Sequence, residues 1–173
     1  KKYPTDKITL IQLTEQSGIV GALNAGLKQI KSEYFIRMDG DDYCAPERFE
    51  KLVDFMDSNI EFDFCGSAIQ AFGEREDVQI YTKDPSLNTA NLLFGHSIGH
   101  ASCIFRTSLF SENNITYIND FYRLEDYHLF YNLKHLGKST SIEDVLYYYR
   151  QESYNYNAEI EAKKLVALEA FYR

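Results

Sequence analysis

In Tyr34-Phe35-Ile36-Arg37-Met38-Asp39-Gly40-Asp41-Asp42 an apolar run stops at three carboxylates. Carboxylates gathered on one loop at a sheet edge invite a hard divalent cation. Mn²⁺ and Mg²⁺ prefer oxygen ligands, and Mg²⁺ is usually held by one or two carboxylates together with substrate phosphates. Asp39 and Asp41, as an Asp-x-Asp after a strand, therefore read as a clamp for a metal-bound diphosphate. The same residues also read as an Asp-rich turn that caps the next helix.

The loop must be held by the elements on either side. After it come Pro46, suited to a first helical turn, and then Phe49, Leu52, Val53, Phe55 and Met56 at helical spacing. Before it, Ile19, Val20, Leu23, Leu27 and Ile30 give a helix over 18–30, with Asn24 and Gly26 interrupting its apolar pattern. With a strand at 8–13, the order is strand, helix, strand, acidic loop, helix.

These residues resemble family 2 glycosyltransferases, inverting enzymes of the GT-A fold that move a sugar from a nucleotide diphosphate donor. The resemblance rests on Gly18, Ala22-Leu23-Asn24-Ala25-Gly26-Leu27, the segment from Glu33 through Asp42, and Pro46-Glu47-Arg48-Phe49. His100-Ala101-Ser102-Cys103-Ile104-Phe105-Arg106, Glu125-Asp126-Tyr127-His128-Leu129 and Leu146-Tyr147-Tyr148-Tyr149-Arg150 follow in the order of later family elements. The resemblance runs over about 8–150. It implies an α/β, GT-A-like domain with a mixed, mostly parallel sheet flanked by helices. The family's opening βαβ nucleotide-binding segment is not seen, so the chain is expected to be an N-terminally truncated fragment with much of its donor floor missing. One domain is expected over 1–173: a retained donor and metal half at 8–57, an acceptor half at 58–150 and a C-terminal helix at 151–173.

The resemblance also assigns roles. Asp41 would contact Mn²⁺ or Mg²⁺ most directly, and Asp39 would face the ribose or a metal-bound water. Asp42 would support them or cap the next helix. An inverting transfer needs a base for the acceptor hydroxyl, and Asp126 takes that role with Glu125 as an acceptor hydrogen-bonding group. On residue type alone, the same pair could simply favour a helix N-terminus. Asn24 and Arg37 are candidates to grip the donor, with Arg37 equally readable as a solvated charge at a strand end. His100 is assigned to the acceptor side or stands as a hydrogen-bonded structural histidine. Tyr122, Tyr127 and Tyr147 to Tyr149 lie near that side, as stacking surfaces for sugars or as core. The expected partners are a nucleotide diphosphate sugar, a UDP-sugar first, and a glycan or lipid-linked acceptor.

Other classes fit less well. A haloacid-dehalogenase-type phosphatase also ends a strand in Asp-x-Asp, but it wants a Thr or Val soon after, where this chain has Asp42-Tyr43-Cys44. A catalytically silent sugar- or protein-binding remnant of the same fold is the other alternative. The net charge of −8 argues against a nucleic-acid partner. No apolar run approaches the roughly 20 residues of a membrane span. Three widely spaced cysteines favour neither a disulfide framework nor a zinc site. They point to the cytoplasm, with the inner membrane face reachable through segments or partners outside this sequence. An open sheet edge left by truncation would favour self-association.

The remaining pattern gives a buried strand at 62–72 running into a second, a short strand at 78–81 and a helix at 87–94. A strand at 102–106, a helix at 124–136 stopped by Gly137, and two final strands at 139–142 and 145–150 complete it.

Overall fold

The computed structural model describes residues 8–93, 98–118 and 124–151. Helix α1, Gly18–Leu27, turns Val20, Leu23 and Leu27 inward. Its start is sterically demanding: Gly18 has φ +61°, and a Cβ on Gly21 would lie 2.1 Å from Ser17 Cβ. Strand β1, Tyr34–Ile36, leads into the acidic segment, which ends in a short strand β2, Tyr43–Cys44, that the sequence pattern does not predict. Pro46 lies in the turn before helix α2, Arg48–Ser58, whose Leu52 and Met56 are fully buried.

Strand β3, Phe64–Gly73, is followed by β4, Val78–Gln79, and by helix α3, Pro85–Asn91. Asp84 caps α3 by accepting from the N–H groups of Ser86 and Leu87, and Pro85 supplies a pre-set φ at its first turn. A 3₁₀ turn at His100–Ser102, strand β5 at Ile104–Arg106 and helix α4 at Thr107–Glu112 come next. Helix α5, Glu125–Leu133, and strand β6, Ser139–Gln151, complete the described elements.

One six-stranded sheet runs in the order β1-β5-β3-β6-β2, with β4 added to β3. It is mixed, as expected, but the expectation of a mostly parallel sheet is corrected. Among the described residues only β3 and β6 pair in parallel, while β1–β5, β2–β6, β3–β4 and β3–β5 are antiparallel. Parallel neighbours need a long crossover, and the helical stretch between β3 and β6 provides one; β3 and β4 are joined only by a short turn.

The strand expected at 8–13 is also corrected. These residues are exposed and enter no ladder among the described residues. The final two strands are instead one, β6, with Glu143 and Asp144 at an irregularity in its register. Likewise 62–72 holds one strand rather than two. The C-terminal helix expected at 151–173 lies outside the described residues beyond Gln151, as do His96 and Tyr122.

Side chains alternate across this sheet. The cross-strand pair Phe64 and Phe105 packs against Phe110, Phe130 and Leu133, whereas the neighbouring pair Cys65 and Ile104 packs against Leu52 and Met56 of α2. Both faces are covered, which is why this stretch reads as a continuous apolar run. Arg106 fastens β5 to its surroundings, donating to Phe62 O at 2.9 Å, Tyr34 Oη at 2.9 Å and Met56 O at 2.8 Å.

Candidate active site

β1 and β2 occupy opposite ends of the strand order, so residues 37–42 carry the chain across the sheet from one edge to the other. Their carboxylates have three different fates. Both Asp39 oxygens accept from the Arg37 guanidinium. Burial raises the Asp39 carboxyl above its ordinary value; Arg37 opposes that shift, and the charges of Asp42 and Asp41 add to it. Asp42 accepts from the Tyr147 hydroxyl through one oxygen and from the Arg150 main-chain N–H, at 2.8 Å, through the other. Asp41 is exposed, and its carboxylate has no hydrogen bond or ion pair among the described residues.

The loop is fastened mainly from β6. Besides donating to Asp42, the Tyr147 hydroxyl accepts the Asp39 main-chain N–H at 3.1 Å, and Arg150 Nε donates to Asp41 O at 2.9 Å. Burial, followed by the bond to Asp42, pushes the Tyr147 hydroxyl up and keeps it protonated. Behind the loop, the buried Arg48 guanidinium lies 4.7 Å from the Tyr147 ring centroid. It donates to Arg37 O at 3.1 Å and Ala101 O at 2.6 Å.

A cavity of about 260 Å³ opens beside this loop, and Arg37, Asp39, His100, Glu125, Asp126 and Tyr149 are among its lining residues. Arg37, Asp39, His100, Glu125 and Asp126 thus share one hollow, whereas Asn24, Asp41 and Asp42 do not line it. Gly99 forms part of its wall, where a Cβ would come within 2.3 Å of Ile69 Cδ1. Glu125 and Asp126 form the first turn of α5, and Asp126 Oδ1 accepts the Tyr127 main-chain N–H at 2.7 Å. Burial, then the charges of Asp42, Asp39 and Asp41, raise the Tyr149 hydroxyl.

Two sequence-selected residues have structural engagements. Asn24 donates to Tyr117 O at 2.8 Å and accepts from Tyr117 N–H at 2.9 Å, so both ends of its amide tie α1 to the chain near 117. It does not line this cavity. His100 is buried, with Nε2 at 2.8 Å from Tyr117 Oη and Phe105 and Phe130 against its ring. Arg37 is not a solvated strand-end charge, since its side chain is 13% exposed and ion-paired. Asp42 caps no helix; its partners are Tyr147 and Arg150.

The sequence pattern contained Arg48, Tyr147 and Arg150 without giving them roles at the loop. The available signal was the alternation in 147–150, which separates Tyr147 and Tyr149 from Tyr148.

Among the described residues no group of three or more His, Cys, Asp or Glu is arranged to hold a metal. The donor set still fits an oxygen-liking ion completed by a diphosphate and water. Asp41 offers an exposed carboxylate with no counter-charge, and Asp39 stands two residues away.

The mixed sheet, its flanking helices and this edge-to-edge acidic loop define a GT-A-type fold. The chain belongs to glycosyl transferase family 2, whose sequence profile matches residues 1–122. It is 30% identical over 142 residues to the amylovoran biosynthesis glycosyltransferase AmsE of Erwinia amylovora, an alignment covering 80% of this chain and 53% of AmsE. Solved structures that share the fold include two sugar-nucleotide complexes. S. aureus TarS in complex with UDP-GlcNAc is 20% identical, with a TM-score of 0.61 over 84% of this chain and 45% of that one. The mannosyltransferase PcManGT from Pyrobaculum calidifontis, in complex with GDP-Man and Mn²⁺, is 18% identical, with a TM-score of 0.63 over 95% of this chain and 47% of that one. The chain spans about half the length of the curated relatives it matches. No helix among the described residues is long and apolar enough to cross a membrane.

Proposed function

We propose that this protein transfers a sugar from a nucleotide diphosphate sugar to a glycan or lipid-linked acceptor, with inversion and with the help of Mn²⁺ or Mg²⁺. The observation that carries the reading is the single cavity in which Arg37 and Asp39 meet Glu125 and Asp126. It sets the acidic loop against a pair of carboxylates from a different element. Membership of the family supports glycosyl transfer, and the TarS and PcManGT complexes make UDP- and GDP-sugars the donors to test first.

Placement supports the roles that the family resemblance implies. Asp41 projects an unpaired carboxylate outward, and a diphosphate approaching it would meet like charge unless a cation lay between them. A divalent ion bound there would neutralise charge on the departing diphosphate. Arg37 holds Asp39 in a fixed orientation. Asp126 takes the acceptor hydroxyl proton as that oxygen bonds to the anomeric carbon and the carbon–phosphate oxygen bond breaks on the opposite face. Glu125 orients the acceptor from the same helical turn. His100, fixed by Tyr117, shapes the wall, and Tyr149 offers an aromatic face to a sugar.

The test uses full-length protein with UDP- and GDP-sugars, Mn²⁺ and saturation-transfer NMR, beside a nucleoside diphosphate release assay. Expected are metal-dependent contacts to nucleotide protons and acceptor-dependent release of UDP or GDP. Equal turnover in EDTA would remove the metal from the mechanism. Hydrolysis of p-nitrophenyl phosphate that is lost in Asp39→Asn, without nucleotide contact, would favour a phosphatase instead.

A further inference from the structure

We propose that Tyr147 is a positioning residue that determines which carboxylate of the acidic loop faces the metal. This rests on the metal-dependent reading above. Asp39-Gly40-Asp41-Asp42 cannot set its own geometry, because three like charges crowd together around a glycine.

A single buried hydroxyl restrains both ends of the tetrad. Tyr147 Oη accepts the Asp39 main-chain N–H at 3.1 Å while donating to the Asp42 carboxylate. The Arg48 guanidinium, 4.7 Å from the Tyr147 ring centroid and bonded to Arg37 O and Ala101 O, packs against the ring. With Asp42 drawn onto Tyr147 and the Arg150 N–H, and Asp39 onto Arg37, Asp41 is left as the outward carboxylate. Without the Tyr147 hydroxyl, Asp42 would keep only the Arg150 N–H, and the Asp39 N–H would lose its acceptor. The loop could then trade one aspartate for another at the metal.

Tyr147 is also wholly buried, packed with Ile69 and Ala101, so simple core packing is the competing account. Tyr147→Phe separates the two, since it keeps the ring and removes the hydroxyl. The experiment is Mn²⁺ binding to full-length protein at fixed UDP, followed by the EPR signal of free Mn²⁺, with thermal unfolding measured alongside. Tyr147→Phe is expected to weaken Mn²⁺ binding on the order of tenfold, the usual consequence of losing a partner that orients a metal ligand. Asp42→Ala, which removes both acceptor oxygens, should act in the same direction. The double variant should be little worse than the weaker-binding single one, because both break the same bond.

Wild-type Mn²⁺ affinity in Tyr147→Phe, or fully additive losses in the double variant, would overturn the proposal while leaving metal dependence intact. A flat wild-type isotherm with turnover in EDTA would overturn both. If Tyr147→Phe does not fold, Asp42→Ala decides: weakened Mn²⁺ binding at unchanged melting temperature supports the clamp, and unchanged binding overturns it.

Discussion

Replacing Asp126 with Asn is the sharpest test of the proposed chemistry. Asp126 Oδ1 accepts the Tyr127 N–H at 2.7 Å, a bond that the Asn carbonyl oxygen can keep. Alanine would lose it, at about 1.5–3 kcal/mol for a hydrogen bond to a charged group. The Asn variant therefore keeps this bond in the first turn of α5 while removing a basic oxygen. A positioned general base contributes roughly 10²- to 10⁴-fold, or about 2.7–5.4 kcal/mol of barrier at 1.36 kcal/mol per decade. The donor-side residues Asp39 and Asp41 sit on a different element, so UDP affinity should be unchanged. Glu125 lines the same cavity. Glu125→Gln should raise the acceptor KM more than it lowers kcat, because a binding group acts on ground and transition states alike. The assay is initial rates at saturating donor across acceptor concentration, with calorimetric UDP binding on each variant. Normal turnover in Asp126→Asn with a dead Glu125→Gln would reverse the two roles. Normal turnover in both would remove this cavity from the acceptor chemistry.

Asp41→Ala should abolish Mn²⁺-dependent transfer, yet leave the melting temperature nearly unchanged because an exposed, unbonded side chain contributes within about 0.5 kcal/mol; retained metal-dependent turnover would refute its role. Burial pushes the Cys65 thiol up to about 12, so at pH 8 about one molecule in ten thousand carries the thiolate. Burial also raises Cys103, whereas Cys44 is partly exposed. Dithionitrobenzoate should therefore titrate one fast thiol in the native chain and three in guanidinium, and two fast native thiols would contradict the packing around β3 and β5. Among the described residues β1 is paired on one side only, with β5, which leaves main-chain groups for another strand to pair with. Concentration-dependent sedimentation of the 173-residue chain is expected, and a strict monomer at high concentration would refute it.

Short-range features were legible in the sequence. The acidic loop, the helix after it and the Glu125-Asp126 turn follow from periodicity and local chemistry, and the structure brings Arg37 and Asp39 of the loop to one cavity with Glu125 and Asp126. What the pattern could not supply was the partner of each polar group. Asn24 meets Tyr117 and Asp42 meets Tyr147 across roughly a hundred residues of chain, so an amide that reads as a ligand-binding group also ties two segments together. β2 escaped notice for the same reason. Two residues become a strand only when Tyr43 and Cys44 find Tyr148 and Tyr147. Conversely, 8–13 has the composition of a strand but no ladder partner among the described residues, and composition alone does not form a ladder.

The irregularity in β6 links this sheet to the loop chemistry. The parallel register begins with Phe64 opposite Ser139, and if it continued unbroken Ile69 would face Asp144; instead Ile69 faces Tyr147. The extra residues include Glu143 and Asp144, whose charges pair with Lys83 and Lys51. That polar pair made the segment read as two strands, yet β6 continues through it. Because the shift is an odd number of residues, it changes which side chain of 145–149 meets each position of β3. It puts Tyr147 beside Ile69 and lets its hydroxyl reach Asp39 and Asp42, with Tyr149 lining the cavity two residues on. Removing Glu143 and Asp144 would make Ile142 and Val145 consecutive opposite Ser67 and Ala68, with Tyr147 still brought beside Ile69 by the second irregularity at Leu146. The residues passed over at the two irregularities, Glu143, Asp144 and Leu146, are what bring Tyr147 rather than Asp144 to the position from which its hydroxyl reaches the acidic loop.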